Sequence, residues 1–141
     1  MTSDSPTAND PALHDLVANS MPFCAHLGVN TTSLVPSEVI LTLDWKPEWC
    51  TIGGTIHGGV LMALADSAGA VCAFLNLPEG ATATSTIESK TNFMRPVREG
   101  TVIATARPLH TGRTTIVIET ELRHNDRLVA KTTQTQAVVH P

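Results

Sequence analysis

Residues 53–70 read GGTIHGGVLMALADSAGA, and they begin the most apolar stretch of the sequence. Apolar and small residues continue almost without interruption to Leu75, and Pro78 follows shortly after. This pattern predicts one long helix, from about Gly58 to Leu75, that is buried nearly all round because almost none of its surface is polar. The helix carries one carboxylate, Asp66, and burying an unpaired carboxylate is costly. Such an acid needs a partner or a function.

Shorter elements flank this helix on both sides. Asp10-Pro11 predicts the start of a short helix, because Asp favours the N-cap and Pro favours the first helical position. We expect the polar residues 1–10 to form a flexible N-terminus ahead of a single domain at 11–141. Short turns at 99–100, 111–112 and 125–126 indicate that the later strands are antiparallel neighbours. Alternating and β-branched residues predict six strands, at about 27–34, 38–45, 83–94, 101–109, 114–124 and 128–139.

One long apolar helix and a run of antiparallel strands together predict an α+β fold. The simplest arrangement wraps the sheet around the helix. We expect Met62 and Phe74 in the core, with a role in a binding pocket as the alternative. Residues from Ile116 to Leu122 alternate in a way that predicts one buried face on their strand. A helix face that the sheet leaves uncovered would need a partner chain.

Composition and charge exclude several classes of function. The 141 residues are 42% hydrophobic and 16% charged, as in one globular domain. A net charge of -4 and the absence of Tyr argue against a nucleic-acid-binding surface. The apolar run at 60–75 is shorter than the ~20 residues of a membrane span, and residues 1–15 do not resemble a signal peptide, so we expect a cytoplasmic protein without a membrane partner. The cysteines lack metal-ligand spacing and indicate free thiols in a reducing compartment: Cys24, Cys50 and Cys72.

Asp66 has both structural and functional explanations. It could pair with an arginine, accept backbone hydrogen bonds, or cap a second helix if the first one breaks near Ala65. It could also act as an acid, a base or a nucleophile. Small residues along the same stripe of the helix favour function, because they would let a strand, a second helix or a ligand approach closely. They are Gly59, Ala63, Gly69, Ala70 and Ala73.

The glycines after His57 offer this acid a catalytic counterpart. The first backbone N–H groups of a helix are free and lie at its positive end, so Gly58 or Gly59 could hold an oxyanion. Gly58 and Asp66 are roughly 12 Å apart along a helix that rises ~1.5 Å per residue. Both must lie within ~3 Å of one reacting carbonyl if both act on it. They would then come from different chains, which predicts an obligate two-fold dimer with two composite sites; a monomer leaves at most one of the two motifs functional.

These residues resemble a known family. HGGVLMALADSAGA, with NFMRP on the following strand, resembles the hotdog-fold acyl-CoA thioesterases of the 4-hydroxybenzoyl-CoA thioesterase superfamily, and most of all the phenylacetate-pathway type. The resemblance extends over about residues 21–139. It implies an antiparallel sheet wrapped around a central helix, dimers that pair into homotetramers, and hydrolysis of an acyl-CoA thioester with no metal or redox cofactor.

The resemblance also implies roles for single residues. The family's oxyanion-donating glycine falls on Gly58, and its carboxylate, a nucleophile or general base, falls on Asp66. Its histidine falls on His57, which would shape the site near the leaving sulfur. A hydroxyl that positions water in some members falls on Thr86. Two neighbouring hydroxyls are alternatives for that role: Thr84 and Ser85.

One position departs from the family pattern. Six residues before the histidine many members carry Asn or Gln, whereas this sequence has Thr51. A hydroxyl can form hydrogen bonds but lacks the separate donor and acceptor atoms of an amide. Thr51 and Gly59 are nevertheless candidates for substrate binding. Basic residues at strand ends and turns are candidates for binding the CoA phosphates: Arg95, Arg98 and Arg113.

Two other functions remain open at this stage. An acyl-CoA hydratase of the same fold would need a histidine and an acid that converge on the substrate's α and β carbons. A non-catalytic acyl-CoA-binding module is the second alternative, and the departure at Thr51 favours it. A hydration assay with crotonyl-CoA separates the hydratase from the thioesterase.

Overall fold

A computed structural model describes residues 11–141 of the chain. Residues 1–10, and with them the predicted cap Asp10, lie outside the described residues. Two short helices come first, and six strands and one long helix follow. In chain order they are α1 (Pro11–Ser20), α2 (Pro22–Leu27), β1 (Asn30–Val35), β2 (Glu38–Asp44), a 3-10 turn (Pro47–Trp49), α3 (Gly58–Leu75), β3 (Ala83–Phe93), β4 (Thr101–Thr111), β5 (Thr115–His124) and β6 (Arg127–Val139).

The six strands form one antiparallel sheet in the order β1-β2-β4-β5-β6-β3. The expectation that a turn at 99–100 makes β3 and β4 neighbours is therefore wrong. The connection at 94–100 contains Pro96 and does not turn back, but runs past the start of α3, where the Val97 carbonyl accepts a hydrogen bond from the Ile56 N–H. β3 instead pairs with β6 and forms one edge of the sheet, and no other described strand pairs with its outer side.

The helix α3 has the predicted bounds and packs on the inner face of the sheet. Its sheet-facing residues, among them Leu61, Leu64 and Cys72, are buried in one core with the inward side chains of the strands. The predicted buried face from Ile116 to Leu122 is confirmed. By length and composition, with 18 residues and a mean hydropathy of 1.7, α3 could also cross a membrane, but its packing on the sheet is that of a core helix.

The side of α3 that faces away from the sheet is uncovered. Met62, Asp66 and Phe74 are exposed, so the expectation of a helix buried nearly all round, with Met62 and Phe74 in the core, is wrong for the single chain. On β3, Ile87 and Phe93 are also exposed, at 65% and 50%. We call these five residues the open face. Large apolar side chains on a helix and an edge strand favour contact with a partner.

The sequence pattern gives no sign of α2. Pro22 begins this helix, and Gly28, at a left-handed φ of 72°, ends it. Cys24 and Leu27 are buried. Six residues are too few to show a helical period, so the apolar Leu27 reads as the beginning of a strand that in fact starts at Asn30.

Candidate active site

Asp66 lies near the middle of an unbroken helix. Because α3 runs continuously from Gly58 to Leu75, Asp66 is not the cap of a second helix. Within residues 11–141 no lysine or arginine forms an ion pair with its carboxylate. Its partners are neutral: Thr86 Oγ1 donates to Oδ1 at 3.2 Å, and Gln134 Nε2 donates to Oδ1 at 3.4 Å. The explanation of Asp66 as a helix cap is therefore wrong, and no arginine among residues 11–141 is its partner.

Thr86 approaches Asp66 from the edge strand β3. The pairing of β3 with β6 is interrupted by a bulge between Thr86 and Glu88, and bulges commonly redirect side chains beside functional sites. Of the three candidate hydroxyls at 84–86, that of Thr86 contacts the carboxylate. Its oxygen also accepts a hydrogen bond of 2.6 Å from Gln136 Nε2. The structure thus brings together Asp66, Thr86 and two glutamines.

The start of α3 distinguishes its two glycines. His57 is the N-cap, and its Nδ1 accepts the Gly59 N–H at 2.8 Å. A neutral His57 ring therefore carries its proton on Nε2. The Gly58 N–H, by contrast, has no acceptor among residues 11–141. Gly58 is thus the free donor at the positive end of the helix, and Gly59 is occupied by the cap.

A groove of about 360 Å³ lies beside this helix start. It brings together three predicted site residues, Thr51, Gly58 and Arg95, and Phe93 also lines it. Asp66 does not line it, in agreement with the ~12 Å that separate Gly58 and Asp66 along a straight helix. The oxyanion donor and the acid of one chain do not share this groove.

Arg95 is the only one of the three candidate phosphate ligands that lines the groove. A second groove of about 540 Å³ shares Arg95 and is also lined by His124 and Arg127. Arg127 makes no ion pair within the described chain, and no motif in the sequence indicates it. Arg98 is exposed on the connection at 94–100 and lines neither groove.

Arg113 lies at the opposite end of the sheet from Arg95. The backbone N–H of Arg95 bonds to the Val129 carbonyl near the start of β6. Arg113 precedes β5, whose first residue, Thr115, pairs with Ala137 near the end of β6. Residues 129 and 137 of a strand are roughly 26 Å apart at ~3.3 Å per residue. In one chain, Arg113 and Arg95 cannot bind the same phosphate group.

Comparisons with known proteins identify the family. Residues 53–131, more than half of the chain, match the sequence profile of the thioesterase superfamily. The chain belongs to this superfamily. A relative from Mycobacterium tuberculosis, named "Putative esterase Rv1847", is 34% identical over 116 residues, which cover 79% of this chain and 82% of the relative.

Solved structures of thioesterases agree with this membership. The thioesterase HI1161 from Haemophilus influenzae is 28% identical with a TM-score of 0.83, over 96% of this chain and 94% of that one. A thioesterase family protein from Silicibacter pomeroyi is 28% identical with a TM-score of 0.81, over 90% and 98% of the two chains. The fold is the hotdog fold, as the resemblance implied, and membership supports thioester hydrolysis as the general activity.

In this thioesterase-family chain, two buried glutamines near Asp66 are marked by no motif. Gln134 and Gln136 are 0% and 1% exposed. The alternation of β6 places both on its inward face together with Ala130, so the strand pattern could have shown that they are buried. It could not have shown that Gln134 contacts Asp66 and Gln136 contacts Thr86, because these contacts join residues far apart in the sequence.

Cys24 lies close to the site but is not a nucleophile. Its thiol donates to Ser67 Oγ at 3.2 Å. Burial raises the pKa of Cys24, side-chain hydrogen bonding with Ser67 lowers it, and the nearby charge of Asp66 raises it further. Because the thiolate is the reactive form, a raised pKa keeps this cysteine inert.

Proposed function

We propose that the protein hydrolyses acyl-CoA thioesters to a free acid and CoA, with Asp66 as the nucleophile or general base. The observation that carries the proposal is the arrangement along α3. The Gly58 N–H lies beside a groove and has no acceptor in the described chain. The hydrogen-bonded carboxylate of Asp66 follows on the same helix, and the chain belongs to the thioesterase superfamily. Thioester hydrolysis needs such a donor and such a carboxylate.

The proposed chemistry uses each group once. The Gly58 N–H holds the carbonyl oxygen as it becomes negative, and Asp66 either attacks the carbonyl carbon or takes a proton from an attacking water. The carbon–sulfur bond then breaks and CoA leaves as a thiolate, which needs no strong general acid. If Asp66 attacks directly, water hydrolyses the resulting anhydride and restores the carboxylate. Thr86 holds Asp66 in place, and His57 shapes the site near the leaving sulfur.

Each site is proposed to combine Gly58 of one copy with Asp66 of another. The unbroken helix between these residues supports this, because it keeps them apart within one chain. The open face and the free edge of β3 support a homodimer, since an unpaired strand edge readily pairs with a second one. We further propose that two such dimers associate into a homotetramer, as in the family that the sequence resembles.

Arg95 and Arg127 are proposed to bind the phosphate end of CoA. Arg95 lines both grooves, so a ligand with its thioester near Gly58 could extend past Arg95 into the groove that Arg127 lines. Two guanidinium groups without carboxylate partners in the described chain suit phosphate binding. Arg98 stays a more distant candidate on the same connection.

The acyl group and the compartment are proposed from the resemblance. The phenylacetate-pathway type of thioesterase implies an aryl or fatty acyl group. We place the protein in the cytoplasm, in agreement with the free thiols of Cys24, Cys50 and Cys72.

A thiol-release assay over short, long and aryl acyl-CoAs tests this function. We expect turnover by the wild-type chain and a loss of about 100- to 10,000-fold in kcat for Asp66→Asn, because a positioned acid–base group contributes that much. Glu79→Gln, which neutralises an exposed acid in a turn, is the matched control and should keep its rate. Absence of thiol release from every acyl-CoA would overturn the proposal. Hydration of crotonyl-CoA would identify a hydratase, and tight binding without turnover a non-catalytic module.

A further inference from the structure

We infer that Gln134 and Gln136 are positioning residues, which hold Oδ1 of Asp66 so that Oδ2 is the reacting oxygen. The inference rests on the proposed function of Asp66 and adds two residues to it. Gln134 donates a side-chain N–H to Asp66 Oδ1, and Gln136 donates one to Thr86, whose hydroxyl donates to the same carboxylate oxygen.

The first route runs from Gln136 through Thr86. Gln136 Nε2 donates to Thr86 Oγ1 at 2.6 Å, so that oxygen is used as an acceptor on this side. A hydroxyl has one proton, and Thr86 donates it in a hydrogen bond of 3.2 Å to Asp66 Oδ1. Gln136 therefore fixes the direction in which the Thr86 hydroxyl donates.

The second route is direct. Gln134 Nε2 lies 3.4 Å from both Oδ1 and the backbone carbonyl oxygen of Asp66. The other amide atom, Gln134 Oε1, is buried without a hydrogen-bond partner in the described chain. If the Gln134 amide were rotated by half a turn, its oxygen would point at the Asp66 carboxylate, which cannot donate a hydrogen bond. The carboxylate therefore favours the orientation that is observed.

This arrangement is unfavourable for stability alone. A buried acceptor without a partner costs about 1–3 kcal/mol, and an apolar side chain of the same shape would avoid that cost. Room for the amide also requires Gly69, since a Cβ at that position would collide with Gln134 Oε1. Gln134 thus lowers the stability of the fold, needs a glycine at position 69, and lies beside the one carboxylate of α3. Such a local cost in stability is typical of a functional site.

The second carboxylate oxygen is left for the reaction. Oδ2 of Asp66 has no hydrogen-bond partner among residues 11–141, and the side chain is exposed. The two hydrogen bonds to Oδ1 oppose a rotation of the carboxylate that would exchange its oxygens. Oδ2 is then the oxygen that stays available on this exposed side chain.

The test replaces Gln134 by Met, which has a similar shape and no N–H. We expect kcat to fall by about 10- to 100-fold, because a misplaced catalytic group loses rate on that scale. KM should not change, since the buried Gln134 cannot touch the substrate, and the melting temperature should not fall. The matched control is Thr120→Val, which removes another fully buried polar atom without a partner, on β5, and should leave both kcat and stability intact.

A second measurement shows that Gln134 acts through Asp66. In an Asp66→Asn background the Gln134→Met change should lower the residual rate no further. Equal losses in both backgrounds would overturn the inference, as would an unchanged kcat in Gln134→Met. If Gln134→Met does not fold, Gln136→Met takes its place in the same comparison.

An NMR measurement separates this inference from the proposed function. The side-chain amide protons of Gln134 should shift when Asp66 is replaced by Ala and stay in place in Thr120→Val. If the wild-type chain releases no thiol but these protons respond to Asp66, the proposed function fails and the hydrogen bond from Gln134 to Asp66 stands. If the chain is active and the protons do not respond, the positioning fails and the function stands.

Discussion

Gly58 and Gly59 are adjacent, yet only one of them has a free N–H. The side chain of His57 accepts the N–H of Gly59, as capping residues do at helix starts, and leaves that of Gly58 without a partner in the described chain. A capping histidine therefore also selects which glycine can hold an oxyanion. The sequence alone left both glycines as candidates, because the direction of the His57 ring cannot be read from a tripeptide.

A proline at position 58 would remove this donor and little else. Proline suits the first position of a helix, and His57, at φ -58° and ψ 132°, has the extended backbone that a following proline requires. We expect Gly58→Pro to lose about 100- to 1000-fold in kcat, as removal of one oxyanion donor does elsewhere. Gly58→Ala is the matched control, since its Cβ meets the same Phe93 ring atom at 3.2 Å but its N–H remains. Equal rates for the two variants would exclude Gly58 as the donor.

The buried thiol of Cys72 should make the free energy of unfolding depend on pH. Burial raises the pKa of Cys72 from 9.0 to about 11 in the folded chain. The folded pKa lies above the unfolded one, so the contribution of the thiol is fully present below pH 9 and is lost as the pH rises through 11. The free energy of unfolding should fall by at most about 3 kcal/mol over that window, at 1.36 kcal/mol per pKa unit. Urea unfolding at pH 8 to 11 in reductant measures it, and Cys72→Ala should fall less steeply; parallel curves would contradict the prediction.

At the scale of elements, the long helix and most strands could be predicted, because their periodicity extends over many residues. The bounds of α3 and the buried face of β5 are confirmed. The place of β3 at the sheet edge could not be predicted, since strand order depends on pairing between distant segments and not on local pattern. For the same reason the motif gave Asp66 and Thr86 as candidates but not the glutamines of β6 that hold them.

Gly69 shows how α3 and β6 are fitted to each other. Alanine normally stabilises a helix interior by about 1 kcal/mol relative to glycine. At position 69 its Cβ would collide with the Gln134 amide, and overpacking costs about 1–3 kcal/mol. We therefore expect Gly69→Ala to lower the free energy of unfolding, and to raise it in a Gln134→Ala background, where the space is empty. Urea unfolding of the wild type, the two single variants and the double variant measures these changes. A Gly69→Ala chain more stable than the wild type would contradict the close packing of Gly69 against Gln134.

For the whole molecule, the unbroken helix α3 bears on whether one active site is shared between two copies of the chain. If Gly58 and Asp66 both act on one carbonyl, the straight run of α3 between them assigns them to different copies. The open face and the free edge of β3 are where a second copy would pack. A chain of 15.0 kDa should then sediment at micromolar concentration as a dimer or larger, because an obligate dimer does not persist as single chains.

Mixing two inactive variants tests the shared site directly. Asp66→Asn keeps Gly58, and Gly58→Pro keeps Asp66. A mixed dimer therefore contains one site with both groups and one site with neither. Random pairing after joint refolding makes half of the dimers mixed, so about a quarter of the wild-type activity should return.

Each variant refolded alone is the control and should stay inactive. If both groups of a site belonged to one chain, every site in the mixture would lack one of them, and no activity would return. A mixture that sediments as dimers and still releases no thiol would therefore rule out sites shared between copies, whichever acyl-CoA is used.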